Sequence, residues 1–504
     1  MYSTVLSAAI HGLEVQFVHV EADISNGLPL FHMVGYLSSE VKEAGERVRT
    51  AIRNTEFTLP AKKIVVNLSP ANVRKRGASF DLPIAISILT SLGYVKEQCV
   101  EKVLFIGELG LDGSVRKVPG ILPIVIEAKK FGCRLCVVPK GNSREAEIID
   151  GIPVWGVSSL SELCKLLNGE EEPKLKHAKE MREKVEETMD FSDIKGQRFL
   201  KRAAEIAAAG LHNILLIGPP GAGKTMIARR IPTILPLLSE QECIEVTKIY
   251  SILGLIDEDA PLLYTPPFRS PHQTVTRAAL VGGGMIPVPG EISMANHGVL
   301  FLDELPEFRR DVLDVLRQPM EEKSISITRR TGTYRFPAEF MLVAAMNPCK
   351  CGYYPDMNKC VCTPHEVYQY QSHISGPFLD RIDLCVEAAK VEYEELCEEK
   401  EEETSESIRR RVCKAREIQY KRYGRRITNA VLTASELARY CVLGEKEKEF
   451  MRQIYDRLSL TVRTYHKVLK TARTIADLEG EEWIQINHLR EAVAYRTMEE
   501  RKKM

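Results

Sequence analysis

The sequence predicts an α/β protein: a central parallel-sheet unit, an α+β N-terminal unit and a helical C-terminal unit. Three observations carry this expectation. The runs "HNILLIGPP", "HGVLFLDE" and "FMLVAAMN" are short and almost wholly apolar, as strands buried on both faces of a parallel sheet are. Helical stretches alternate with them up to about residue 390. From residue 391 the chain turns helix-rich, with charge runs and few turn signals.

Taken in order, residues 1–167 alternate between short strands and helices. "KIVVNLSP" (63–70) and "RLCVVPK" (134–140) read as strands, and "DLPIAISILTSLG" (81–93) reads as a helix ended by Gly93. Residues 168–189 carry almost no apolar side chain and read as a linker or a solvated helix. The parallel-sheet unit is expected over 190–390 and the helical unit over 391–504. A length of 504 residues suits several domains, and 44% hydrophobic with 27% charged residues is ordinary globular composition.

Bulk charge excludes little. The chain has 69 basic and 69 acidic residues, so any nucleic-acid contact must come from local patches. The opening "MYSTVLSAAIHGLEVQF" lacks the apolar length of a secretory signal, and no run reaches the ~18 apolar residues of a membrane span. With 13 mostly scattered cysteines, a reduced, cytoplasmic setting is expected, with no membrane partner.

"GPPGAGKT" fits G-x-x-x-x-G-K-[ST] and lies between an apolar run and the helical "MIARRI". In the loop Gly218, Pro219, Pro220, Gly221, Ala222 and Gly223, the glycines would let backbone N–H groups close in on phosphate oxygens, with Met226 just inside the next helix. Lys224 would reach the terminal phosphates and Thr225 would ligate magnesium. "GVLFLDE" ends in two carboxylates: Asp303 would hold magnesium through water, and Glu304 would polarise the attacking water. Asn347, at the end of "FMLVAAMN", could orient that water or contact the terminal phosphate.

In this order the motifs resemble the AAA+ ATPases, and "DFSDIKGQ" (190–197) resembles the segment that opens such a module. The resemblance implies ATP and Mg2+ as cofactors. It also implies that "FLDRIDL" carries an arginine, Arg381, reaching a neighbouring subunit's nucleotide; a salt bridge to Asp380 or Asp383 is the alternative. "LTVRTYHKVLKTARTIADLEG" (460–480) is similar to the lid helix with a second sensing arginine, for which Arg463 fits best and Arg473 is the fallback.

"PFRSPHQTVTRAALVGGGMIPVPGEISMANHGVLFLDELPEF" (267–308) resembles the magnesium-chelatase-like branch of AAA+. The layout from residue 1 to about 500 resembles the YifB/ComM group, which pairs a Lon-protease-like N-terminal domain with a chelatase-like ATPase and a helical lid. "KRGASFDLPIAI" (75–86) resembles the segment carrying the Lon-type nucleophile, with Ser79 at its place. Leu122 stands where the lysine base belongs, and Lys117 and Lys129 are out of register. A leucine takes no proton, so the N-terminal domain is expected to be proteolytically inactive.

Cys349, Cys351, Cys360 and Cys362 form C-x-C-x8-C-x-C. Four thiolates could hold a structural Zn2+, with His365 and His373 nearby; four reduced thiols in a loop is the alternative. Basic runs occur at "ITRRTGTYRF" (327–336), "RRR" (409–411) and "KRYGRR" (421–426). In the first, Arg329, Arg330 and Arg335 with Tyr334 suit phosphate contact and base stacking; a solvated hairpin is nearly as good a reading. The resemblance implies a homo-oligomer, a hexamer, that moves branched or single-stranded DNA as a helicase in recombination or transformation. The rival is the motor subunit of a magnesium-chelatase-type metal-insertion complex. That rival lacks support from a D-x-S-x-S metal-ion adhesion motif, which is absent from the sequence.

Overall fold

The computed structural model describes residues 1–173, 189–330, 332–389 and 402–496. Most of the linker expected at 168–189 and the charged start of the helical unit lie outside the described residues.

The N-terminal residues build a seven-stranded mixed sheet. Its order is Leu30–Val34, Lys63–Ser69, Glu14–Ser25, Tyr2–His11, Val103–Phe105, Leu135–Pro139 and Val154–Val157. The Tyr2–His11 and Glu14–Ser25 hairpin and the Lys63–Ser69 strand pair antiparallel, and the last four strands of the order run parallel. Burial alternates along Glu14–Ser25, as a pleated strand with one covered face requires. The Asp81–Ser91 helix is buried at every residue against this sheet, which explains its near-continuous apolar sequence. It stops just before Gly93, whose φ of +83 no helical residue adopts.

A second, five-stranded sheet is wholly parallel, in the order Phe268–Arg269, Val299–Leu302, Met341–Met346, Ile214–Ile217, Leu384–Glu387. Its strands serve two cores by simple alternation. Ile214, Leu216, Phe301, Val343 and Val386 face the helices Arg198–Gly210, Lys224–Ile234, Ser405–Tyr423 and Val462–Glu479. Leu215, Ile217, Leu300, Leu302, Leu342 and Ala344 face a second core that includes Phe308, Leu316, Phe336 and Phe378. The expected continuous apolar runs therefore reflect helices and hairpins on both faces. The whole is a mixed α/β structure with a parallel sheet.

The two sheet units touch at defined places. The Ile121–Phe131 helix packs on Glu240–Ile252. There the Gly120 N–H donates to the Ser251 carbonyl at 2.8 Å, and the Ser251 hydroxyl donates to Glu145 Oε1 at 2.5 Å. The turn at Gly12 lies on the Tyr334 ring so closely that a β-carbon there would sit 2.8 Å from it. Among the described residues no helix is long and apolar enough to cross a membrane.

Phe301 is 1% exposed on the second strand of the parallel sheet and stacks on Phe268 of the edge strand with centroids 5.9 Å apart. Phe301→Ala is expected to destabilise the chain by ~3–5 kcal/mol, read as a clear fall in the thermal unfolding midpoint.

Candidate functional site

Strand order decides what meets what. Met341–Met346 is hydrogen-bonded to Ile214–Ile217 on one side and to Val299–Leu302 on the other. All three run parallel, so their carboxyl ends open at one edge of the sheet, the usual ligand crevice of such sheets. Gly218, Asp303 and Asn347 each lie at or just past such an end.

The loop after Ile217 turns tightly and delivers the Lys224–Ile234 helix. Gly221 and Gly223 have φ of +78 and +79, with open space where a β-carbon would stand. The helix N-terminus carries no side-chain cap, so its first N–H groups and dipole are available to an anion. Lys224 is buried; its ammonium donates to the carbonyls of Gly218 (2.7 Å) and Pro219 (2.8 Å) and to Asn347 Oδ1 (3.1 Å). Burial lowers its pKa and the Asp303 charge opposes that. Met226, in the first turn of the Lys224–Ile234 helix, is 45% exposed.

The Thr225 hydroxyl donates to Asp303 Oδ2 at 2.8 Å, which places both proposed magnesium ligands side by side. The other Asp303 oxygen accepts the Glu304 backbone N–H at 3.0 Å. Glu304 sits at φ +51, a left-handed conformation a non-glycine residue seldom adopts, and its side chain is exposed. The structure thus brings Lys224, Thr225, Asp303, Glu304 and Asn347 to one place.

Asn347 leads directly into the cysteine loop. The four sulfur ligands of Cys349, Cys351, Cys360 and Cys362 lie within 4.8 Å of one another. Cys349–Cys351 is 3.3 Å, Cys351–Cys360 3.6 Å and Cys349–Cys360 3.8 Å between Sγ atoms. The Tyr353 backbone N–H pulls the Cys351 thiol down to about 6. His365 lies outside this cluster and pairs with Gln369 at 3.0 Å.

The arginines sit elsewhere. The Arg381 carbonyl accepts from Asn213 Nδ2 at 3.0 Å. Asn213 immediately precedes Ile214–Ile217, so Arg381 lies at the opposite end of the sheet from the phosphate loop, ~13 Å of strand away. Its guanidinium pairs with Glu321 at 2.7 Å, not with Asp380 or Asp383; the Asp383 carboxylate instead accepts the Asn213 backbone N–H. Arg463 is exposed in the first turn of Val462–Glu479. Arg473 is 1% exposed, held by Asp477 and the carbonyls of Glu481 and Glu482, a structural position that removes it as the fallback.

"ITRRTGTYRF" forms the hairpin Ser324–Arg329 and Gly332–Pro337, with Arg329, Arg330 and Arg335 exposed. Tyr334 is only 9% exposed, covered by the Gly12 turn; it is a packing residue and does not present a stacking face. The other basic runs are largely ion-paired: Arg410 with Glu406, Arg411 with Glu205 and Glu403, Arg422 with Asp477, Arg425 with Glu436. In the N-terminal unit Leu122 is fully buried. Lys117 is drawn away to the Ile256 carbonyl at 3.1 Å.

Two residues at the site escaped the sequence reading. Gln197, at φ +52, donates to the carbonyls of Ala222 (3.2 Å) and Ala389 (2.6 Å), tying the opening segment to the phosphate loop. Gly352, at φ +89, lies against Pro220: a β-carbon there would sit 2.7 Å from Pro220 Cδ and 3.9 Å from Asn347 Cγ. The glycine between paired cysteines was a visible signal, but its contact is long-range.

Comparison with known proteins agrees with this geometry. The family described as "Magnesium chelatase, subunit ChlI" matches residues 190–396, "Subunit ChlI of Mg-chelatase" matches 20–142, and "Magnesium chelatase, subunit ChlI C-terminal" matches 402–496. Competence protein ComM of Haemophilus influenzae is 43% identical over 503 residues, covering 98% of this chain and 97% of that protein. YifB of Escherichia coli is 41% identical over 503 residues, covering 99% and 97%. The magnesium-chelatase 38 kDa subunit of Cereibacter sphaeroides is 27% identical over 175 residues, 31% of this chain and 52% of that one. The chain belongs to the YifB/ComM group of magnesium-chelatase-like AAA+ proteins.

Proposed function

We propose that this chain hydrolyses ATP as one subunit of a homo-oligomeric ring, a hexamer, that translocates or remodels branched or single-stranded DNA in the cytoplasm. The observation that carries the ATPase part is the convergence of Lys224, Thr225, Asp303, Glu304 and Asn347 at one edge of the parallel sheet. The donor set fits a nucleoside triphosphate with its magnesium. The loop glycines leave room, the helix end is uncapped, and a buried ammonium stands opposite a hydroxyl–carboxylate pair. Magnesium held by Thr225 and Asp303 would neutralise charge on the phosphates.

Lys224 would exchange its carbonyl partners for phosphate oxygens. Glu304, exposed and in a left-handed backbone conformation, would take the proton of the attacking water. Asn347 would hold that water in line. Arg381, at the far end of the sheet, suits a role in the neighbouring subunit's site, released from Glu321 on assembly. Arg463, on the Val462–Glu479 helix, would serve as the second sensing arginine of a lid over 391–504. Residues 1–167 would be a Lon-like fold kept for assembly or binding, joined by the linker 168–189 to the ATPase core 190–390.

Two observations favour DNA. A relative covering nearly the whole chain is named a competence protein. Three arginines, Arg329, Arg330 and Arg335, stand exposed on one hairpin, as phosphate contact requires. The metal-insertion reading rests on a match to only 31% of the chain at 27% identity, and is the weaker one.

Glu304→Gln should leave nucleotide binding intact and lower ATP turnover by ~100-fold or more, measured as phosphate release. Lys224→Ala should instead remove nucleotide binding itself, read by a fluorescent ATP analogue. Replacing Arg329, Arg330 and Arg335 with alanine should weaken forked-DNA binding about tenfold and flatten its salt dependence. No response of ATP turnover to any DNA structure would argue against the DNA reading.

A further inference from the structure

The cysteine loop has almost no core of its own. Met357 is 70% exposed and Val361, between two of the thiols, is 86% exposed. A long loop with so little buried apolar surface needs a cross-link to offset its ordering entropy. Its anchor is Cys349, fully buried, whose sulfur accepts the Tyr354 N–H at 3.4 Å.

The sulfur spacing identifies the cross-link. Four thiolates at ~2.3 Å from one zinc ion lie ~3.8 Å apart along tetrahedral edges. The distances here are 3.3, 3.6 and 3.8 Å, while a disulfide needs ~2.05 Å. The set is closed: four sulfurs converge and neither nearby histidine adds a fifth ligand. Soft thiolates favour zinc over magnesium or calcium.

What the loop presses on gives the site its consequence. Gly352, between Cys351 and Tyr353, is buried against Pro220 of the phosphate loop. Cys349 is two residues beyond Asn347, which accepts from Lys224. Gln371, in the helix that follows the last cysteine, donates to the Pro348 carbonyl at 2.9 Å. The loop thus braces both Pro220 and Asn347 from outside the nucleotide site.

We propose that Cys349, Cys351, Cys360 and Cys362 bind one zinc ion, and that zinc occupancy holds the phosphate loop in its nucleotide-gripping shape through the Gly352–Pro220 contact. This makes ATP binding dependent on a thiolate metal site with no part in the chemistry, and hence sensitive to zinc supply and to thiol oxidation. The coupling half of the proposal rests on the nucleotide reading given above; the zinc half does not.

The test uses the full chain and two readouts: metal content by mass spectrometry and affinity for a fluorescent ATP analogue. Wild type, Gly352→Ala and Lys224→Ala should each carry about one zinc per chain. Cys360→Ser should carry little, and should bind the analogue about tenfold more weakly, the size typical of lost support around a site. Gly352→Ala keeps all four thiols but pushes a methyl group into Pro220, so it should keep zinc and still lose affinity. If Cys360→Ser does not fold, stripping zinc from wild type with a chelator and restoring it should lower and recover affinity in the same way. Iron or no metal in wild type overturns the zinc site. Unchanged affinity on zinc loss, or in Gly352→Ala, overturns the coupling. Tight analogue binding by Lys224→Ala overturns the nucleotide reading, and the zinc content still stands or falls by itself.

Discussion

The constraint on which the rest depends is the insertion of Met341–Met346 between Ile214–Ile217 and Val299–Leu302. Because all three strands run parallel and in register, whatever follows each must emerge at the same edge. That places a glycine-rich loop, a carboxylate pair and an amide in one crevice, although they lie far apart in the chain. Lys224 seals the arrangement from within, bonding its own loop and Asn347 across the strand boundary. Burying an ammonium costs free energy unless its hydrogen bonds are met; here three oxygen acceptors meet them.

The two-sided burial of that sheet has a second effect. Alternate residues of each strand belong to different cores, so the helices 405–423 and 462–479 share one core with the phosphate-loop helix. Movement of 405–423 would be felt at Lys224–Ile234 directly, and movement of 462–479 through 405–423 and Arg198–Gly210. The N-terminal sheet meets the same unit through Ser251, Glu145 and the Gly12 turn, and so it too is mechanically connected.

Much of this was legible from the chain alone, and the reason is local. Continuous apolar runs such as "NILLI" and "VLFL" mark strands with both faces covered, and "GPPGAGKT" marks a loop whose chemistry lies within eight consecutive residues. What was not legible depends on partners distant in sequence. Tyr334 looks like an exposed aromatic beside arginines until the Gly12 turn is folded over it. Arg381 has acidic neighbours on either side in sequence, yet its partner is Glu321, because the short Gly376–Leu379 helix turns the guanidinium toward the Arg317–Glu322 helix. Arg473 has its partners Asp477, Glu481 and Glu482 near in sequence, and what the sequence does not show is that a distant residue, Arg422, shares Asp477 in the same buried cluster. The cysteine loop's hold on Pro220 is of the same kind.

The central claim is that ATP is hydrolysed between copies of this chain, one providing the crevice around Lys224 and another providing Arg381. Mixed assemblies of Lys224→Ala and Arg381→Ala chains test it most directly, since each variant lacks one half and every interface in which the Arg381→Ala chain provides the crevice and the Lys224→Ala chain provides Arg381 holds both intact halves. Each variant alone should be inactive, and co-assembled chains should regain measurable ATP turnover. Turnover by Arg381→Ala alone at the wild-type rate, or no recovery in assemblies shown to contain both chains, would contradict the account.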